Sequence, residues 1–159
     1  MNGARRWLAW AVLAGASFGA LGVVRALAQP APDSAVTERC TLAFDNRAQL
    51  VDVPHAVTPA QQAKGLSGLA DVRPGMLFSW RMAAPLVFWM RDTHAPLTIG
   101  FFDADGALFQ LVDMEPLSEQ KHYSSKPARY ALELPQGDYA RLGIQLGARL
   151  AVRECKPVP

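Results

Sequence analysis

Residues 97–115 read LTIGFFDADGALFQLVDME. Two runs of strand length, LTIGFFD (97–103) and ALFQLVDME (107–115), flank the tetrad Asp103-Ala104-Asp105-Gly106. Asp-Gly at a tip is a strong hairpin signal, because glycine takes the left-handed backbone that a tight return needs. A chain carrying this hairpin is committed to antiparallel pairing there. Its other apolar runs must join that sheet or cover it. The tetrad also sets carboxylates at alternate positions, as a calcium loop does. Such a loop needs more oxygens and a distal Glu, which ALFQLVDM (107–114) does not supply. The tetrad is therefore read as a turn.

The rest of the chain extends the β pattern. CTLAFD (40–45) and QLVDVPHAV (49–57) alternate apolar and polar side chains around a turn at Asn46, and make a second hairpin. MLFSW (76–80) and PLVFWM (85–90) are apolar runs of strand length. In ARYALEL (128–134), Ala128, Tyr130, Leu132 and Leu134 fall on one face and Arg129, Ala131 and Glu133 on the other. ARLAVREC (148–155) is the last strand. A short helix over 59–66 opens at Thr58, with Pro59 at its first position and Gln61 completing a capping box. Gly65 and Gly68 limit it. A second helix, within PQGDYARLG (135–143), stops at Gly143. PLSEQKHYSSKP (116–127) is a polar loop long enough to carry function. The expected fold is α+β and mostly β: an antiparallel curled sheet or barrel-like domain with two short helices.

A chain of 159 residues holds one such domain and an appendage. Arg5 and Arg6 precede the apolar run WLAWAVLAGASFGALGVV, and Ala26-Leu27-Ala28 follows it. That is an export signal, cleaved after Ala28. Residues 1–28 are thus a signal peptide, 29–38 a Pro-, Ala- and Ser-rich flexible linker, and 39–156 the domain. The destination is periplasmic or secreted, with membrane attachment only if the signal stays uncleaved. Without the signal, thirteen basic residues face fourteen acidic ones, a formal −1. No basic run exists to neutralise phosphates, which argues against nucleic acid as a partner. The two cysteines, Cys40 and Cys155, stand near the two ends of the domain. In an oxidising compartment such a pair reads as a disulfide, and the spacing suits no zinc motif.

The densest chemistry lies in FWMRDTH (88–94). Phe88 and Met90 face one way on a strand, Trp89 and Arg91 the other. Asp92 and Thr93 can fix the exit turn through their own backbone. Met90 with His94 is thinkable as a soft-metal pair, but methionine more often fills irregular core space. No metal and no cofactor is expected. The candidate rim of a binding site comprises Trp89, Arg91, Asp92 and Thr93 with Tyr123 and Ser124, and Glu133 as a possible addition.

The stretches AKGLSG (63–68), GMLFSW (75–80), FWMRDTHAPLTIGFFDADG (88–106), YSSKPARYALEL (123–134) and GIQLGARLAV (143–152) together resemble the domain of unknown function 192 family. The resemblance spans about residues 40–155. It implies a compact β-rich domain, often exported, and no established reaction. Leu69 stands where the family pattern usually has Arg, Asp92 where it has Asn, and Gly147-Ala148 where it has Gly-Asp. The expected role is therefore a periplasmic ligand-binding or accessory protein for a small polar ligand, such as a sugar or peptide fragment, or for an envelope protein. Two alternatives stay open. One is a hydrolase acting on an envelope component, with Asp92 as base or nucleophile and His94 or His122 as partner. The other is a protein-interaction module using an exposed strand edge.

Overall fold

The computed structural model describes residues 34–158. Residues 1–33, which hold the expected signal segment 1–28 and the start of the expected linker, lie outside the described residues. Among those described, no helix is long and apolar enough to cross a membrane.

Nine strands and two short helices follow in the order β1 (Glu38–Phe44), β2 (Gln49–Ala56), α1 (Pro59–Lys64), β3 (Met76–Ala84), β4 (Val87–Phe88), β5 (Leu97–Phe102), β6 (Leu108–Met114), β7 (His122–Tyr123), β8 (Ala128–Pro135), α2 (Asp138–Arg141) and β9 (Leu150–Pro157). Seven strands form one sheet in the order β6-β5-β8-β3-β2-β1-β9, and β4 pairs with β7 in a two-stranded ribbon. Both expected hairpins form, β1 with β2 and β5 with β6. The fold is mostly β, as the patterning implies.

The expectation of antiparallel pairing needs one amendment. β2 and β3 run parallel, with His55 opposite Leu77 and Ala56 opposite Phe78. Parallel neighbours need a long crossover, and α1 with its following loop supplies it. The sheet curls without closing into a barrel. Its outermost strands approach at an isolated bridge between Ala107 and Arg149. Leu108 N–H also donates to the Ala148 carbonyl there.

Helix α1 starts as read. Thr58 Oγ1 accepts from Gln61 N–H at 3.3 Å, and Gln61 Oε1 accepts from Thr58 N–H at 3.0 Å. Gln61 Nε2 also donates to the Ala35 carbonyl at 2.9 Å, tying residues ahead of β1 to this helix. The run 85–90 behaves differently from a full strand: only Val87 and Phe88 pair, and they pair with His122 and Tyr123.

Each face of the sheet carries its own core. One holds Leu42, Phe44, Val53, Leu77, Phe102, Leu132 and Leu134 under Tyr139 and Ile144. Tyr139 follows Gly137, the left-handed N-cap of α2, and its buried hydroxyl donates to the Leu132 carbonyl at 2.8 Å. The Cys40–Cys155 disulfide seals this side, joining the facing residues of β1 and β9 across 115 positions. The other face holds Met76, Phe78, Leu97, Ile99, Phe101 and Ala131, covered by Leu66 behind α1 and by Leu86 and Met90. Burying a side chain of this size contributes about 1.5–3 kcal/mol. Here the cover is made of loops, and it leaves a gap.

Candidate functional site

The gap is a cavity of about 510 Å³ on the second face. Its first wall is α1 and the turn after it, with Gln62, Ala63, Lys64 and Ser67. Its second is the segment 85–93, which contributes Leu86, Phe88, Trp89, Arg91 and Thr93. Phe78 and Trp80 of β3 close one side, Lys121 stands on another, and Glu133 of β8 also lines it. The aromatic rings brace one another. Phe88 meets Phe78 edge-on at 5.0 Å and Trp80 edge-on at 6.3 Å.

The walls are held by main-chain bonds. Ser124 grips Leu86 twice: its Oγ accepts from Leu86 N–H at 2.9 Å, and its N–H donates to the Leu86 carbonyl at 3.0 Å. Met90 N–H donates to the Ser118 carbonyl, and Leu117 N–H to the Thr93 carbonyl. The stretches AKGLSG and FWMRDTH meet at one bond, Gly68 N–H to the Asp92 carbonyl at 2.8 Å. Gly68 has φ +73°, and Lys64 folds over it so closely that a Cβ would lie 3.4 Å from Nζ.

Glu133 is the unusual member. The alternation of ARYALEL puts it on the face of Arg129 and Ala131. A core packs on each face of β8, with Leu132 and Leu134 in one and Ala131 in the other, so both of its faces are covered. Glu133 is 4% exposed. Gly75 packs so close to its carbonyl that a Cβ there would collide with it, which pins this part of β8. Its carboxyl has no hydrogen-bond or ion-pair partner among the described residues, and its oxygens, which are not among the fully buried unpaired atoms, reach the open space of the cavity. Burial pushes the carboxyl up to about 8 from its ordinary 4.5. At neutral pH it is mostly the uncharged acid, with an O–H to donate.

The six rim candidates divide. Trp89, Arg91 and Thr93 line the cavity; Asp92, Tyr123 and Ser124 do not. The Arg91 guanidinium lies 4.4 Å over the Trp89 ring and pairs with Glu119 at 3.2 Å. Thr93 is buried. Asp92 is exposed, with φ +55°. Its carboxylate bonds to nothing among the described residues, so its role there is to hold the left-handed turn that Asn and Asp tolerate best. Tyr123 is exposed on β7, and Ser124 is the clip on Leu86. His94 is exposed and Met90 fully buried. His122 Nε2 is buried without a partner, away from the cavity lining. Arg73, in the loop behind Leu69, pairs with Asp71 at 2.8 Å and is largely exposed.

A second buried polar group escaped the sequence reading. His55 Nδ1 lies 2.7 Å from Glu38 Oε1, and its Nε2 lies 2.8 Å from Ser79 Oγ. Acid, imidazole and hydroxyl follow the order of a nucleophilic relay. Neither His55 nor Ser79 lines the cavity. Glu38, Cys40, His55 and Cys155 also bring four donor atoms within 4.8 Å of one another. The two sulfurs are bonded to each other and the other two groups hydrogen-bond together, which leaves no open ligand set. The chain Glu38–His55–Ser79 reads as a tie across β1, β2 and β3.

With fold and cavity described, the sequence model of the family described as Uncharacterized ACR, domain of unknown function 192, matches residues 41–152. The chain belongs to this family. A search of curated proteins gives no match. Among solved structures, the chain is similar to one described as a "putative transcription regulator" from Sinorhizobium meliloti 1021. The identity is 32% and the TM-score 0.67, covering 77% of this chain and 98% of that one. It is also similar to a protein of unknown function from Novosphingobium aromaticivorans, at 30% identity and TM-score 0.64. That match covers 71% of this chain and 83% of the other. Of the family stretches quoted above, AKGLSG, GMLFSW and FWMRDTH contribute to the cavity lining, YSSKPARYALEL contributes Glu133 alone, and GIQLGARLAV lies outside it.

Proposed function

We propose that this family member is an exported domain that binds a small ligand in the cavity beside Glu133. One observation carries the reading: a carboxyl that is 4% exposed, unpartnered among the described residues, and part of the lining of a 510 Å³ space walled by aromatic rings. A bound ligand that accepts a hydrogen bond from its O–H supplies the partner the folded chain does not, an exchange worth roughly 1–3 kcal/mol. Cavities of this size with aromatic walls and few polar groups are typical of small-molecule sites. Export is supported by the segment 1–28, with its paired arginines, apolar run and Ala-Leu-Ala site. The name of the Sinorhizobium relative points to DNA. The near-neutral domain and its lack of a basic run favour a small ligand over nucleic acid for this chain.

The test uses Trp80 and Trp89, which line the cavity, as fluorescent reporters. Sugars, dipeptides and small organic acids are screened by fluorescence and thermal shift. The expected result is a saturable response that Ala63→Trp, a plug at the exposed helix surface of the mouth, abolishes without lowering the melting temperature. A response unchanged by the plug sinks the reading. A hydrolase reading keeps one observation in its favour, since a carboxyl kept protonated at pH 7 in a cleft is what an acid catalyst needs. Turnover of a responding compound, lost in Glu133→Gln, would favour it.

A further inference from the structure

The charges around the cavity are uneven. Three cations line it, Lys64, Arg91 and Lys121, against one acid, Glu133. Arg91 is already neutralised by Glu119 and stacked on Trp89. Lys64 and Lys121 have no ion-pair partner among the described residues. Glu133 contributes no compensating charge at neutral pH, because desolvation keeps it protonated. The cavity is thus lined by two exposed lysines without an ion-pair partner among the described residues, a band of four rings (Phe78, Trp80, Phe88, Trp89), and one buried carboxyl on β8.

These three zones specify a ligand. Resting on the binding role proposed above, we infer that the cavity takes a small ring-bearing organic anion. Its carboxylate meets Lys64 and Lys121, its planar ring lies against the aromatic band, and an acceptor at the far end accepts a hydrogen bond from the Glu133 O–H. The order of the zones decides the orientation. An anion deep in the cavity would lose its hydration beside a second carboxyl, whereas at the entrance it stays partly solvated and meets two cations. A ring suits the middle zone because aromatic faces and edges pair best with flat partners. A neutral sugar would use the aromatic band and Glu133 but would leave both lysines without a role.

The probe pair is 4-hydroxybenzoate and its neutral isostere 4-hydroxybenzamide, titrated by tryptophan fluorescence and calorimetry at pH 6.5 in low salt, with glucose and a neutral dipeptide amide alongside. The acid is expected to bind at least tenfold more tightly than the amide, and added salt to shrink that preference. The double variant Lys64→Gln/Lys121→Gln should erase the preference while leaving amide binding in place. Glu133→Leu should weaken 4-hydroxybenzoate more than benzoate, which lacks the distal acceptor. Equal affinity for acid and amide, or a preference that survives loss of both lysines, overturns the ligand class. If glucose or the dipeptide amide then binds in a manner blocked by Ala63→Trp, the binding role stands and the ligand class alone falls. If no probe binds in a plug-sensitive way, both fall.

Discussion

β2 and β8 flank β3, and each carries one buried ionisable side chain toward a different face of the sheet. His55 on β2 meets Glu38 at 2.7 Å and Ser79 at 2.8 Å, with Cys40 Sγ 3.4 Å away. Glu133 on β8 meets no partner among the described residues. The surroundings differ in the same sense. The side of His55 is bridged by the disulfide and every polar atom of the imidazole is bonded, whereas the side of Glu133 is roofed by α1 and loops and holds a cavity of about 510 Å³. A buried polar group with every bond made specifies structure; one with none made is a place where something else can bind. The two residues therefore separate a side whose polar groups are satisfied within the fold from the side on which the proposed binding role rests.

The sealed side should yield the largest effects. Cys40→Ser/Cys155→Ser removes a link spanning 115 positions, and the chain-entropy relation gives a loss of about 4–5 kcal/mol. The urea midpoint of the double variant, against the oxidised parent, measures it. A loss below about 1 kcal/mol would mean that hydrogen bonding between β1 and β9 secures this side on its own. His55→Ala comes next. It strands Glu38 and Ser79 and opens a hole beside Cys40, at about 2–4 kcal/mol. Binding of cavity probes should not change in this variant at temperatures where it stays folded.

The open side should respond with the opposite sign. Glu133→Met replaces an unsatisfied carboxyl with an apolar chain of similar length, and is expected to stabilise by about 1–2 kcal/mol while impairing binding. The pH dependence follows from the same group. Its pKa is raised in the folded state, so the folded protein holds a proton that the unfolded chain releases near 4.5. The contribution is fully present below that pH. It is lost as pH rises toward about 8, and flat above. Midpoints measured from pH 4 to 9 should fall across that window for the parent and much less for Glu133→Met. Identical profiles would show that Glu133 finds a partner or water in solution, and the contrast with His55 would disappear.

Much of the scaffold was legible in the sequence because its signals are local. The capping box at Thr58, the Asp-Gly hairpin and the alternating runs of β1 and β2 each depend on a few adjacent residues. The parallel pairing of β2 with β3 was not legible. It depends on where the crossover of residues 57–75 returns, and no residue in that loop records this. PLVFWM has the apolar run of a strand, yet its backbone partners are a two-residue ribbon and the loop at 117–124, so it serves as a wall. The burial of Glu133 was not legible in its alternation, although the sequence set it beside the rim candidates. Period two assigns a residue to a face, but whether that face meets water depends on what covers it, and here both neighbours of β8 and the roof come from distant parts of the chain. Within FWMRDTH, the aromatic and cationic residues carry the cavity and the unusual Asp carries the turn.

That last division supports the smallest and most discriminating prediction. Asp92 sits at φ +55°, accepts from Gly68 N–H at its carbonyl, and is exposed outside the cavity lining. Asp92→Asn keeps a side chain that tolerates the left-handed region, and stability and probe binding should both stay within about 0.5 kcal/mol of the parent. Asp92→Ala keeps the backbone atoms but loses that tolerance, and should cost about 1 kcal/mol. Asp92→Gly relieves the strain and should recover most of it. A turn residue gives this order, with Asn and Gly near the parent and Ala below. If Asn and Gly both lose binding at full stability, the carboxylate reaches the ligand after all, and the contact side of the molecule extends past Arg91 to the outer face of the loop.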